Sequence, residues 1–122
     1  MDLFYSPAYV GAAHAFDTTR KAEWIAQSLV ADPIPGVVMR EPEPTTPRAL
    51  HVIHEERYVD AVRTGNPRAL AESQGFPWDP ALWTSATAST GGVVAAVTAA
   101  LRDGVAGSLS SGLHHARYER GR

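Results

Sequence analysis

Apolar residues in this chain form three short runs that have the length and composition of β-strands. The first run covers residues 3–5 and ends at Ser6-Pro7, and the second covers residues 37–39. The third is the small-residue stretch 105–110, which precedes a glycine and two histidines. The pattern therefore predicts three strands of a few residues each.

Helical spacing dominates between these runs. Apolar positions at i, i+3, i+4, i+7 and i+8 predict an amphipathic helix from Arg20, preceded by the capping residues 17–19 and ended by Pro33. These positions are Ala22, Ile25, Ala26, Leu29 and Val30. Thr46-Pro47 predicts the start of a second helical stretch that runs to residue 64, with a break near His54-Glu55.

A third, longer helical stretch is predicted over residues 83–102, after a segment, 68–80, that fits one further short helix. Gly91-Gly92 lies in the middle of the long stretch. A glycine inside a helix costs about 1 kcal/mol relative to alanine. Two in a row therefore predict that another part of the backbone packs very close to this helix.

The predicted order is β-α-β-α-α-β within one domain that covers residues 1–122. Strands that alternate with helices pair in parallel through right-handed crossovers, so we expect an α/β fold with a short parallel sheet in three layers. Open parallel sheets bind ligands beyond the carboxyl ends of their strands. His114-His115 follows such an end.

Composition excludes several classes of function. The net charge is −2, from 11 basic and 13 acidic residues, and clustered basic residues that would indicate nucleic acid are missing. The chain has no cysteine, which rules out disulfides and thiol catalysis. We expect no window as long as a membrane span, no signal peptide, and therefore a cytoplasmic protein without a membrane partner.

The tandem histidines His114-His115 are the first candidates for chemistry. Two imidazoles near one carbonyl can act as base and acid in turn, and Gly112 permits the backbone shape that this requires. The alternative is a solvent-exposed pair in a loop. Likewise, His14 lies in a loop before a helix, where it can line the rim of a pocket or simply be exposed.

A metal site is harder to find in this sequence. His51 and His54 are three residues apart and would share one face of a helix, but such a pair needs a third ligand. We favour a structural or surface role for both. None of the aspartates is followed two residues later by a histidine, so the chain contains no Asp-x-His pair.

The stretch Gly107-Ser108-Leu109-Ser110-Ser111-Gly112-Leu113-His114-His115-Ala116, with the glycine-bearing helix before it, resembles the histone deacetylase superfamily. It is similar in particular to bacterial deacetylase-like amidohydrolases, which include acetylpolyamine deacetylases. Residues 15–22 and 54–59 also fit the N-terminal region of this family. The resemblance implies the N-terminal part of the arginase/deacetylase fold, with the first strand between the other two.

The family hydrolyses acetyl-lysine or similar amides with one zinc ion, which polarises the carbonyl and activates water. The resemblance implies that His114 acts as general base or electrostatic stabiliser and that His115 acts as general acid to the leaving amine. Gly112 would shape the floor beside the acyl group, and His14 is a further candidate for contact with the substrate.

The resemblance covers the whole chain but only part of the family domain, so we expect a truncated N-terminal part. The family's metal ligands, an Asp-x-His pair and a later aspartate, lie downstream of the tandem histidines, as does the tyrosine that helps stabilise the oxyanion. We therefore expect no zinc bound specifically to this chain and little activity by the chain alone. An uncovered sheet edge also predicts a homodimer or higher assembly through the third strand or the long helix.

Three hypotheses follow. The first is a deacetylase fragment without independent catalysis, which we favour. The second is a working metal enzyme with ligands from His14, His51, His54 or a partner chain. The third is a non-enzymatic module that binds acetylated ligands. A small acetylated amine and an acetylated protein lysine are both open as the ligand.

Overall fold

Within the part of the chain that the structure describes, three parallel strands form one sheet. The computed structural model of the chain describes residues 1–12, 17–110 and 116–121, and for residues 17–19 the backbone only. The strands are β1 (Asp2–Phe4), β2 (Val38–Arg40) and β3 (Ala106–Ser108), in the order β2-β1-β3. Leu3 pairs with Met39 on one side and with Gly107 on the other.

Helices connect these strands. After a 3₁₀ helix over Pro7–Val10 come α1 (Asp17–Ala31), α2 (Pro47–Leu50), α3 (Glu56–Thr64), α4 (Arg68–Ala71) and α5 (Pro80–Asp103). The α/β class and the parallel pairing are those expected from the sequence. Four helices lie between β2 and β3 where the predicted order has two. The predicted break near His54-Glu55 separates α2 from α3, and α4 is the further short helix that the segment 68–80 fits, so the simplified order β-α-β-α-α-β counted two helices too few.

Local sequence explains several helix ends. Thr46 accepts a hydrogen bond from the backbone N–H of Ala49, with proline in the first turn of α2, as the Thr46-Pro47 pair predicts. Asp79 does the same for the N–H of Ala81 at the start of α5. Gly65 ends α3 in the left-handed conformation, with φ of 76°.

The buried face of α1 is narrower than its apolar pattern predicts. Ala22 and Ala26 are buried, whereas Ile25 is 45% exposed and Val30 is 69% exposed. The expectation that all five apolar positions face the core is therefore wrong. The helix also begins at Asp17, so residues 17–19 belong to it and do not precede it.

The core joins α5 to the sheet. Phe4 of β1 packs with Ala96 and Ala99 of α5, and the half-buried Ala95 and Ala106 complete this cluster. Small side chains on α5 allow its backbone to lie close to β1 and β3, both of which it contacts. The contacts of the described residues show α5 on one face of the sheet, and the expected third layer stays a prediction.

The opposite side of α5 is exposed and apolar. Val93, Val94, Val97 and Leu101 are 49%, 58%, 54% and 86% exposed. Within the described residues, α5 alone is long and apolar enough to cross a membrane, judged by length and composition only. This corrects the expectation that no window has that length. Ala96 and Ala99 of the same helix pack against Phe4, as apolar residues do in a core helix of a globular domain.

Candidate functional site

Polar side chains gather where the three strands end. β1 is followed by Ser6 and Tyr9, β2 is followed by Glu41, and β3 ends at Ser108. Backbone hydrogen bonds from Tyr5 to the carbonyl of Arg40 (3.0 Å) and from Leu109 to the carbonyl of Phe4 (2.9 Å) continue the pairing one residue beyond the strands. The parallel sheet thus brings these residues to one edge, where such folds hold ligands.

Ser108 links this edge to Ser110, the last described residue before the tandem histidines. Its Oγ atom lies 3.3 Å from the hydroxyl of Tyr9 and donates a 3.0 Å hydrogen bond to Oγ of Ser110. The backbone N–H of Ser110 donates to Ser108 Oγ at 3.3 Å. Ser110 is therefore fixed in place immediately before residues 111–115.

A second hydrogen bond joins the ends of β1 and β2. Ser6 Oγ donates to Oε1 of Glu41 at 3.0 Å and accepts from the N–H of Ala8 at 3.3 Å. Because Ser6 also caps the 3₁₀ helix, one buried hydroxyl orders both the Glu41 carboxylate and the turn that carries Tyr9.

Tyr9 is buried, with 6% of its surface exposed. Burial raises its pKa above the usual value, the hydrogen bond with Ser108 opposes this, and the negative charge of Glu41 raises it further. Tyr9 therefore presents a neutral hydroxyl at this edge of the sheet at neutral pH. Such a group can donate or accept a hydrogen bond but does not act as a base.

Gly91 and Gly92 make room for this arrangement. A Cβ atom on Gly91 would overlap the backbone carbonyl of Glu43, which confirms the predicted close approach of another backbone. A Cβ on Gly92 would overlap the hydroxyl of Tyr9 and lie 2.8 Å from Ser108 Oγ. The second glycine thus accommodates side chains of the site, which the sequence did not indicate.

The segment 116–121 follows the tandem histidines directly. It is hydrogen-bonded to the turn between α2 and α3 and to the residues after α4. His54 Nδ1 donates to the carbonyl of Arg117 at 2.9 Å, and the N–H of Glu55 donates to the carbonyl of Tyr118 at 2.9 Å. The N–H of Gly121 donates to Ser73 Oγ at 2.9 Å. Sequence reasoning missed these contacts because each of them uses a backbone group of the segment.

The predicted site residues His114, His115, Gly112 and His14 lie outside the described residues. Of the predicted His-x-x-His pair, His51 is exposed at the end of α2, whereas His54 is half-buried and bonded to Arg117. The pair thus has two different surroundings, in agreement with structural and surface roles.

A zinc ion does not fit the described part of the chain. Across residues 1–12, 17–110 and 116–121, no three His, Cys, Asp or Glu side chains lie close enough together to hold a metal ion. Glu41, the acidic residue at the sheet edge, is bonded to Ser6. The described residues at this edge therefore do not form a metal site.

Comparison with protein families identifies one domain. The model of the histone deacetylase domain matches residues 14–122, which include α1–α5, β2, β3 and the Gly-Leu-His-His stretch 112–115. Comparison with curated proteins gives no match. Because the family match spans most of the chain and includes the motif that follows β3, the chain belongs to the histone deacetylase domain family.

Proposed function

We propose that this chain carries the general acid–base part of a zinc-dependent amidohydrolase that removes acetyl groups from primary amines. The family match over residues 14–122 is the observation that carries the proposal. The polar edge formed by Tyr9, Glu41 and Ser108 supports it, since the tandem histidines follow Ser110 by a few residues.

The proposed roles follow the family motif. His114 is the general base or the electrostatic stabiliser, and His115 is the general acid that protonates the leaving amine. Gly112 shapes the floor beside the acetyl group, and His14 contacts the substrate at the rim. The Tyr9 hydroxyl, held neutral by burial, adds a hydrogen-bonding group that carries no charge.

Under this proposal the metal is held by ligands other than the described residues of this chain. The sequence contains no Asp-x-His pair, and the described residues offer no cluster of three ligands. A bound zinc ion would supply activation of water, because a zinc ion lowers the pKa of water far below its bulk value. A chain that has the acid and the base but lacks this activation is expected to show little amide hydrolysis by itself.

The proposed substrate is an acetylated primary amine of the type used by bacterial acetylpolyamine deacetylases or presented by acetyl-lysine in a protein. Both contain the acetamide group that the proposed reaction would hydrolyse. Binding of N-acetylputrescine, compared with an acetyl-lysine peptide, distinguishes the two sources in calorimetry.

Zinc titration of the metal-stripped chain tests the proposal. The chain, a variant with both His114→Ala and His115→Ala, and the matched control His51→Ala are titrated by calorimetry. We expect no tight one-to-one binding in any of them. Tight binding that the double variant loses would make the tandem histidines ligands and would contradict their assignment as base and acid. Tight binding that all three keep would reveal a complete metal site elsewhere in this chain.

A second candidate function is a non-enzymatic module that binds acetylated ligands and assembles as a homo-oligomer. The exposed apolar face of α5, formed by Val93, Val94, Val97 and Leu101, favours this candidate. Exposed apolar side chains that are contiguous on one helix face are typical of interaction surfaces. The proposed occupant of this face is a second copy of the chain, because a two-fold axis can pair the face with itself. The proposed location of this assembly is the cytoplasm.

Sedimentation equilibrium of the chain and of a Val97→Glu, Leu101→Glu variant tests the assembly. We expect a dimer or larger species for the chain and a monomer for the variant. Thr84→Glu, an exposed position near the other end of α5, is the control and should keep the assembly. A monomeric chain at high concentration would exclude the homo-oligomer. Binding of the chain to neutral phosphatidylcholine vesicles, lost in the variant, would assign the α5 face to a membrane and exclude a second copy as its occupant.

A further inference from the structure

The turn between α2 and α3 holds the segment 116–121 near its start. Among the described residues, His54 and Glu55, which are neighbours in that turn, each donate a hydrogen bond to the segment. At the other end of the segment, the N–H of Gly121 donates to Ser73, beyond α4. Gly121 is buried against Gln74, where a Cβ would lie 2.6 Å from the Gln74 backbone nitrogen, so this end of the segment is closely packed.

His54 provides a directional contact in this arrangement. Because a carbonyl oxygen only accepts, the bond to Arg117 requires a proton on Nδ1 of the His54 ring. Both the neutral form with its proton on Nδ1 and the imidazolium meet that condition. The ring also meets Tyr58 edge-on, with centroids 5.7 Å apart and planes at 75°. Two contacts thus set the orientation of the ring that holds the Arg117 carbonyl.

We infer that His54 is a positioning residue for the tandem histidines and acts through the Arg117 carbonyl, an inference that rests on the proposed function of His114 and His115. Arg117 follows His115 by two residues, and two residues span about 7 Å at most. Ser110, held by Ser108, anchors the chain on the other side of residues 111–115. His54 therefore supplies the anchor after the tandem pair, and Ser108 supplies the anchor before it.

Three variants of the full chain test this inference by NMR. His54→Ala removes the donor, His54→Asn replaces the ring by an amide that can donate from a similar position, and His51→Ala removes an exposed histidine three residues away. The measured quantities are amide hydrogen exchange at Glu55, Arg117 and Gly121, and the ring resonances of His114 and His115 through a pH titration. None of these readouts requires zinc, substrate or activity, so the inference can fail while the proposed function stands.

The expected result is specific to the hydrogen bond. His54→Ala should raise exchange at these amides several-fold to about tenfold, because one hydrogen bond is lost. It should also alter the titration curves of His114 and His115. His54→Asn and His51→Ala should leave both readouts close to those of the wild type.

Two results would overturn the inference. Unchanged ring titrations in His54→Ala would show that the anchor does not reach the tandem pair. Equal changes in His54→Ala and His54→Asn would assign the effect to the lost ring contact with Tyr58. If His54→Ala does not fold, as judged by circular dichroism, His54→Asn decides alone: wild-type readouts support the inference, and altered ones reject it.

Discussion

The hydroxyl of Tyr9 lies 3.3 Å from Oγ of Ser108, although 99 positions separate the two residues in the sequence. Gly92 lies beneath this contact, because any Cβ there would occupy the same space as the Tyr9 hydroxyl. The 3₁₀ helix that follows β1, the end of β3 and the long helix α5 therefore come together at this hydrogen bond, a few residues before the tandem histidines in the sequence.

Because Tyr9 is buried, we expect the folded chain to lose stability at alkaline pH. Its pKa is raised in the folded chain, mainly by burial, so the folded state retains the phenolic proton more strongly than the unfolded state. The stabilisation is full below the unfolded value of about 10 and is lost as pH rises from there through the folded pKa. We expect the urea midpoint to fall above about pH 10, and Tyr9→Phe to reduce that fall.

Burial also raises the pKa of Tyr58, so Tyr9→Phe should remove only part of the alkaline loss. Tyr118→Phe, at a side chain that is 61% exposed, is the control for the loss of a phenol hydroxyl at the surface. A Tyr9→Phe profile identical to that of the wild type would contradict the assignment of the effect to Tyr9.

Gly91→Ala should destabilise the chain even though alanine is the better helix former. The gain in helix propensity is about 1 kcal/mol, whereas forcing a methyl group into packed backbone typically costs about 1–3 kcal/mol. The overlap at Gly91 is with the carbonyl of Glu43, a backbone atom that cannot rotate away. We expect a net loss in the free energy of unfolding, measured by urea denaturation.

Gly11→Ala is the matched control for Gly91→Ala. Gly11 has φ of −62°, and a Cβ there would meet the Ala8 carbonyl at an ordinary 3.5 Å. Its substitution should change stability by no more than about 0.5–1 kcal/mol. Equal effects at the two positions would show that the approach of Glu43 to α5 is looser than described.

Gly65→Ala should cost more than Gly75→Ala. Both glycines have positive φ, 76° and 100°, so both variants carry the strain of alanine in that region, about 1–3 kcal/mol each. At Gly65 the new Cβ would also lie 2.7–2.9 Å from the Trp78 ring, while at Gly75 nothing lies within 4 Å. The difference between their urea midpoints measures the Trp78 contact, and no difference would contradict it.

Asp79→Ala should destabilise α5 by about 0.5–2 kcal/mol, since the N–H of Ala81 loses its 2.7 Å bond to the carboxylate. Asp79→Asn keeps an oxygen acceptor at the same position and should retain most of the stability. The thermal midpoints of the two variants provide the measurement. Equal losses would mean that the charge of Asp79, and not its hydrogen bond, stabilises the helix start.

Local sequence determined the elements whose rules involve only neighbours along the chain. Thr46-Pro47 predicts the start of α2, and Gly65 predicts the end of α3, because capping and positive φ depend on a few adjacent residues. The stretch 107–116 identifies the family, and the family match confirms it. Paired glycines at 91 and 92 also predicted the backbone approach, since two helix-breaking residues in a helix need a packing reason.

Tertiary structure alone decided which apolar residues are buried and which polar groups meet. The exposure of Ile25 and Val30 follows from what α1 contacts, and helical spacing does not contain that information. The bonds of Tyr9 with Ser108 and of His54 with Arg117 join residues 99 and 63 positions apart. The second of these bonds uses a carbonyl, a group that every residue has. Side-chain identity therefore cannot reveal it, and only the packing of α2, α3 and the segment 116–121 determines that it forms.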